Sequence, residues 1–103
     1  MKLGRVVGTV VATQKDEKLR GSRFLVLEKL SAACEVITGP DDYVVAVDPL
    51  GCAVDEVVLY VLSSSARFAT ATIDRPVDAV IAGIVDSVEH AGDLKYDKQL
   101  AQA

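Results

Sequence analysis

Short runs rich in Val, Ile, Leu and Thr recur along the chain, broken by clusters of Gly, Pro and Asp. β-Branched runs of this length between turn residues predict a small antiparallel β domain. The first strand is expected over Leu3–Thr13. Its Val6, Gly8, Val10, Ala12 face alternates with Val7, Thr9, Val11 and Thr13, so neither face is strongly polar. A strand apolar on both faces is buried on both, once by its own barrel and once by something else. Gly4 and Gly8 within it point to a bend or a close backbone approach.

Further strands are expected over Ser22–Leu30, Tyr43–Val47 and Glu56–Val61. The charged stretch Gln14–Arg20 separates the first two, either as a solvated hairpin tip or as a surface facing a neighbouring molecule. Asp48-Pro49-Leu50-Gly51 turns the chain after the third, because Pro49 stops strand pairing and Gly51 permits a tight connection. The stretch Asp74–Gly92 carries two signals. Val77, Val80, Ile81, Ile84, Val85 and Val88 fall at helical spacing, with Asp74 and Pro76 suited to a helix start. Against that, Gly83 sits mid-segment and four of those six residues are valine, a poor helix former. Periodicity alone leaves helix and strand open here. The polar stretch after Gly92 holds Leu94, Tyr96 and Leu100 as its only anchors, which predicts a short docked helix or a frayed end. The reading is thus a barrel over residues 1–91 and a tail over 92–103.

Composition adds one strong constraint. The chain has 103 residues, half of them apolar, and a mean hydropathy of +0.30. A domain this small hides only about 60–65% of its unfolded surface, so apolar surface is left over. No run approaches the ~18–20 apolar residues of a spanning helix, and the start Met1-Lys2-Leu3-Gly4-Arg5 does not suit a secretory signal. Subunit interfaces are the remaining sink, which predicts an oligomer in the cytoplasm. Val7 and Val11 are the candidate contact residues on the first strand.

The net charge of −4 and pI of about 4.8 oppose nucleic-acid binding, which draws its affinity from Lys and Arg. Cys34 and Cys52 lack metal-ligand spacing and are expected to be reduced, unbridged, small apolar residues. His90, the lone histidine, has no second imidazole to share a metal and reads as a surface or strand-end residue. Ser63-Ser64-Ser65-Ala66-Arg67 lacks the glycines of a nucleophile elbow. Asp41-Asp42 and Asp55-Glu56 read as solvated turn carboxylates. No catalytic, cofactor-binding or metal-binding residue is assigned. An OB-type barrel suits the strand pattern, but single-strand binding needs a cationic groove with stacking aromatics. The chain offers only Phe24, Tyr43, Tyr60, Phe68 and Tyr96.

Three blocks carry a family resemblance. "GRVVGTVVATQKDEKLRGSRFLVL" resembles the opening of the EutN/CcmL family of bacterial microcompartment vertex proteins, with Thr13, Lys15, Leu19 and Gly21 fitting its pattern. "YVVAVDPLGCAVDEVVLYVLSSSAR" is similar to that family's Ala-Val-Asp stretch, glycine loop, apolar strand and Ser-rich segment. "RPVDAVIAGIVDSV" is similar to its Pro-x-Asp-Ala segment followed by Ile-Val-Asp. Two glycines of the pattern are lost, since the loop reads Gly51-Cys52-Ala53-Val54-Asp55-Glu56 and Ser63 stands before the Ala-Arg segment.

The resemblance implies an all-β fold, a five-stranded OB-like barrel with a short C-terminal helix or tail, in which 80–88 is a strand. It implies a non-enzymatic homopentamer that closes the vertices of a polyhedral shell tiled by hexameric shell proteins, with no cofactor, nucleic acid or membrane partner. Within that picture Asp48, Gly51, Cys52 and Ala53 are candidates for a loop at the five-fold axis. Arg67 is a candidate tie within the barrel or to the next subunit, because its guanidinium forks onto a carboxylate or carbonyls. The competing reading is an oligomeric OB-like binding module for a small ligand or nucleic acid.

Overall fold

The computed structural model describes residues 1–11, 23–39, 42–62 and 79–101. Five strands form a closed barrel: β1 (Lys2–Val10), β2 (Phe24–Leu30), β3 (Tyr43–Val47), β4 (Val57–Leu62) and β5 (Ala79–Ile84). Their order around the barrel is β1-β2-β3-β5-β4, closed by the antiparallel pairing of β1 with β4. Only β3 and β5 run parallel, joined at Val47 and Val80. The all-β, OB-like barrel expected from the sequence is therefore the architecture found.

Period-2 alternation builds the interior. Val6 of β1, Leu25 and Leu27 of β2, Ala46 of β3, Val58 and Tyr60 of β4, and Ala79 and Ile81 of β5 form one buried cluster with Cys52. Val47 and Val80 form a second cluster, with Phe24 and Val61 against it. Their strand neighbours belong to the first cluster, so this row lies on the other face of the same sheet. β5 is buried on both faces, which is why its sequence shows no polar alternation.

Gly4 is where the barrel wall closes most tightly. A Cβ placed there would stand 3.0 Å from Tyr60 Cε1 and 3.4 Å from the Glu28 carbonyl. Of the bend or close approach expected at this glycine, the close approach is found: a ring edge lies over bare backbone. Further along β1, the register skips one residue between Val6 and Gly8. The skipped residue, Val7, bulges outward and is 38% exposed.

Two expectations need correction. The strand anticipated over 80–88 is broken: β5 ends at Ile84, and Val85 and Asp86 redirect the chain. Val88 belongs instead to β6 (Ser87–His90), which pairs antiparallel with β7 (Asp93–Asp97) in a separate two-stranded sheet. The stretch after Gly92 is also not simply a helix or a frayed end. Its first half is β7, and only Lys98–Ala101 coil into the short helix α1. Periodicity missed the hairpin because each strand is only one turn of helix long in sequence. At the two-residue connection Ala91 (φ 54°) and Gly92 (φ 85°) both take the left-handed backbone such a hairpin turn requires.

Candidate assembly interface

The outer surface of β1, β2 and β3 carries apolar side chains that no core needs. Val26 of β2 stands opposite Gly8 on one side and Val45 on the other. Val45 is 48% exposed and Tyr43 56%. A neighbouring row runs Arg5, Glu28, Tyr43 across the same three strands. There Arg5 donates to the Glu28 carboxylate, an ion pair that pins β1 to β2 from outside. Val7 and Val11, singled out in the sequence, are both exposed, Val7 at the bulge of β1 and Val11 just past its end. Arg67, the Ser63–Arg67 segment and the charged stretch Gln14–Arg20 lie outside the described residues.

The connection from β3 to β4 is held from inside by two buried carboxylates. Asp48 is 6% exposed. Its Oδ1 accepts hydrogen bonds from the backbone N–H of Leu50 (2.9 Å) and Gly51 (3.1 Å), and its Oδ2 from that of Cys52 (2.8 Å). The Arg23 guanidinium lies 3.4 Å from the same Oδ2, and the Asp48 N–H donates to the Arg23 carbonyl. Three converging amides suit a carboxylate, which has lone pairs for each of them. Gly51 takes φ 82° in this turn, a backbone that costs a side chain.

Glu56 holds the far end of the loop. Its Oε1 accepts from the Ala53 N–H (2.6 Å) and its Oε2 from Lys98 Nζ (2.9 Å). The backbone of Asp55 and Glu56 also pairs with Val6 on β1. The Asp55-Glu56 pair was expected to be solvated, but only Asp55 is exposed, whereas Glu56 is 8% exposed. A signal was available. Glu three residues after Ala53 can reach back to an amide, as in a capping arrangement.

This loop brings together some of the residues proposed for an axis and separates others. Gly51 and Ala53 reach the surface, as do Leu50 and Val54. Asp48 faces inward as the loop's anchor. Cys52 turns into the barrel and joins the core at 1% exposure, so its side chain lines no outer surface. Burial and the neighbouring Asp48 push the Cys52 thiol up to about 12, which leaves it inert at neutral pH. Cys34, half-buried in the turn after β2, is likewise a free thiol, raised by burial.

Lys98 couples this loop to the C-terminal segment. Its side chain binds Glu56 while its backbone N–H donates to the Asp86 carbonyl, at the root of the β6–β7 hairpin. The Ala53 amide, and then the Lys98 ammonium, hold the Glu56 carboxyl below its ordinary value. A depressed folded-state pKa contributes stability above the ordinary carboxylate range, and loses it as the pH falls through the folded value. Glu56→Gln should therefore be less stable than the parent at neutral pH, with the gap closing in acid. Urea unfolding of both chains at pH 7 and at about pH 3–4 reads this directly.

Among the described residues, no group of three His, Cys, Asp or Glu side chains is placed to hold a metal ion. His90 sits exposed at the end of β6. No helix among them is long and apolar enough to cross a membrane.

Comparison with known proteins gives a consistent picture. The profile of the family described as "Ethanolamine utilisation protein EutN/carboxysome" matches residues 1–86. The chain is 41% identical over 99 residues to the carboxysome shell vertex protein CcmL of Thermosynechococcus vestitus, covering 96% of this chain and 97% of that one. The solved structure of Gloeobacter violaceus CcmL superposes with a TM-score of 0.85 at 39% identity, over 96% of this chain and 99% of that one. The GrpN pentameric microcompartment shell protein of Rhodospirillum rubrum superposes with a TM-score of 0.76 at 37% identity, over 88% of this chain and its own full length (100%).

Proposed function

The chain belongs to the EutN/CcmL family, and from that premise we propose that it is a vertex protein of a bacterial microcompartment shell. Five copies close into a ring, and the ring fills the five-fold corners of a polyhedron. The protein is structural and carries out no reaction. The observation that carries this reading is identity of 41% across 96% of the chain to a shell vertex protein, joined to a superposition on a pentameric shell protein.

The physics of the chain supports the same role. A flat hexagonal sheet cannot close, so a shell needs five-fold units, and a ring uses head-to-tail contacts that close on themselves. Such contacts need apolar surface outside the barrel, and Val7, Val11, Tyr43 and Val45 supply it. The small exposed residues Gly51 and Ala53 suit a loop where five copies converge, on a backbone kept rigid by Asp48 and Glu56. Hexameric shell proteins of the same compartment are the partners in this reading. The alternative of an OB-like binding module rests on barrel topology alone, which many unrelated functions share.

The test is co-assembly. Hexamer-forming shell proteins produced with this chain should yield closed polyhedral particles by electron microscopy, with a tag on this chain found at the corners. Closed particles forming equally well without it, or a tag spread over the facets, would contradict the vertex role.

A further inference from the structure

We infer that the β6–β7 hairpin is an arm that docks on a second copy of this chain, seating Leu94 in the groove beside the start of β1. This rests on the ring reading above and names the contact that joins its subunits. Among the described residues the hairpin pairs with itself and with no strand of the barrel. A two-stranded sheet alone in water is marginal, so this one gains its stability from packing against something else. Every residue from Glu89 to Lys95 is exposed, and Leu94 is 55% exposed.

The groove is complementary in shape and charge. It encloses about 290 Å³ between Leu3, Leu30, Ile37 and Leu59, with Lys2 and Lys29 also lining it. Among the described residues no carboxylate lines it, and no residue of the hairpin does. Across the hairpin Glu89 stands opposite Leu94, and Asp93 precedes it. From Asp86 to Asp97 the arm carries Asp86, Glu89, Asp93 and Asp97 against a single lysine, Lys95. Leu94, between Asp93 and Lys95 in the chain and opposite Glu89, sits on a net-acidic arm that matches an apolar groove lined by two lysines. Arm and groove are different surfaces of one chain, so copies can dock head to tail, the kind of contact that builds rings.

Two measurements test this. In the first, one batch of chain carries Leu94→Cys and another Ile37→Cys, both with Cys34→Ser. Mixing and mild oxidation should give a disulfide-linked pair of unlike chains that neither batch gives alone. In the second, Leu94→Glu should raise the concentration at half assembly by about tenfold or more, since it puts a charge where apolar surface is buried. Lys29→Glu should weaken assembly too, and Glu89→Lys should restore it in part. Five-chain rings that ignore Leu94→Glu and give no mixed disulfide would overturn the arm while leaving the ring reading intact. Loss on Leu94→Glu of an assembly of some other size would support the arm and contradict rings of five. A monomeric parent chain would overturn both.

Discussion

Asp48→Ala should lower the unfolding free energy by about 3 kcal/mol or more, a large part of the roughly 5–15 kcal/mol that a domain of this kind possesses. The carboxylate binds the amides of Leu50, Gly51 and Cys52. Removing it leaves those donors without their acceptor, and hydrogen bonds to a charged group are worth about 1.5–3 kcal/mol each. The loss also frees Arg23 at the other side of the turn. Since Cys52 is part of the core, loosening its amide disturbs packing as well as the loop. Asp48→Asn is the informative control. It keeps the shape and one good acceptor, so its cost should be smaller than that of alanine. Chemical denaturation of the three chains, with unchanged denaturant slope, would show the ordering. Equal stability of Asp48→Ala and the parent would mean that the turn is held by something other than this carboxylate.

The second large effect is expected at Tyr60 and Gly4. Tyr60 is the largest fully buried side chain among the described residues, at 1% exposure, and Tyr60→Ala should cost about 3–5 kcal/mol through lost burial and the cavity left behind. Tyr60→Phe keeps the ring and should cost far less. Gly4→Ala in the parent forces a methyl to 3.0 Å from the tyrosine ring, which should cost about 1–3 kcal/mol as overpacking. The two sites share one contact, so their effects cannot add. In the Tyr60→Ala background the new methyl partly fills the space, and Gly4→Ala should become neutral or stabilising. Thermal or urea unfolding of the four chains forms the cycle. Simple additivity would show that ring and glycine are not coupled.

These two sites also show what the sequence could and could not carry. Gly4 was legible as a bend or a close approach, because a glycine inside a strand has little other reason to be there. The partner in that approach was not, since Tyr60 meets Gly4 only through the β1–β4 pairing that closes the barrel. The strands β2, β3 and β4 were legible as apolar runs between turn residues. The break after Ile84 was not. Val80, Ile84, Val85 and Val88 look alike as apolar positions, yet they end up in barrel wall, bend and hairpin. Glu56 was misjudged because one acidic residue beside another in a turn resembles its solvated neighbour. What buries it is Lys98 from the far end of the chain and the Ala53 amide. The apolar surplus did point to assembly, and Val7 and Val11 do stand outside the barrel. The number five came from the family resemblance, because composition counts surface and not symmetry.

The most direct measurement of the central claim is the mass of the intact assembly in solution. Native mass spectrometry of the unmodified chain, at micromolar concentration and near-neutral pH, should give one dominant species of five times the 10.9 kDa chain mass. A dominant monomer, or a ring of six, would contradict the account.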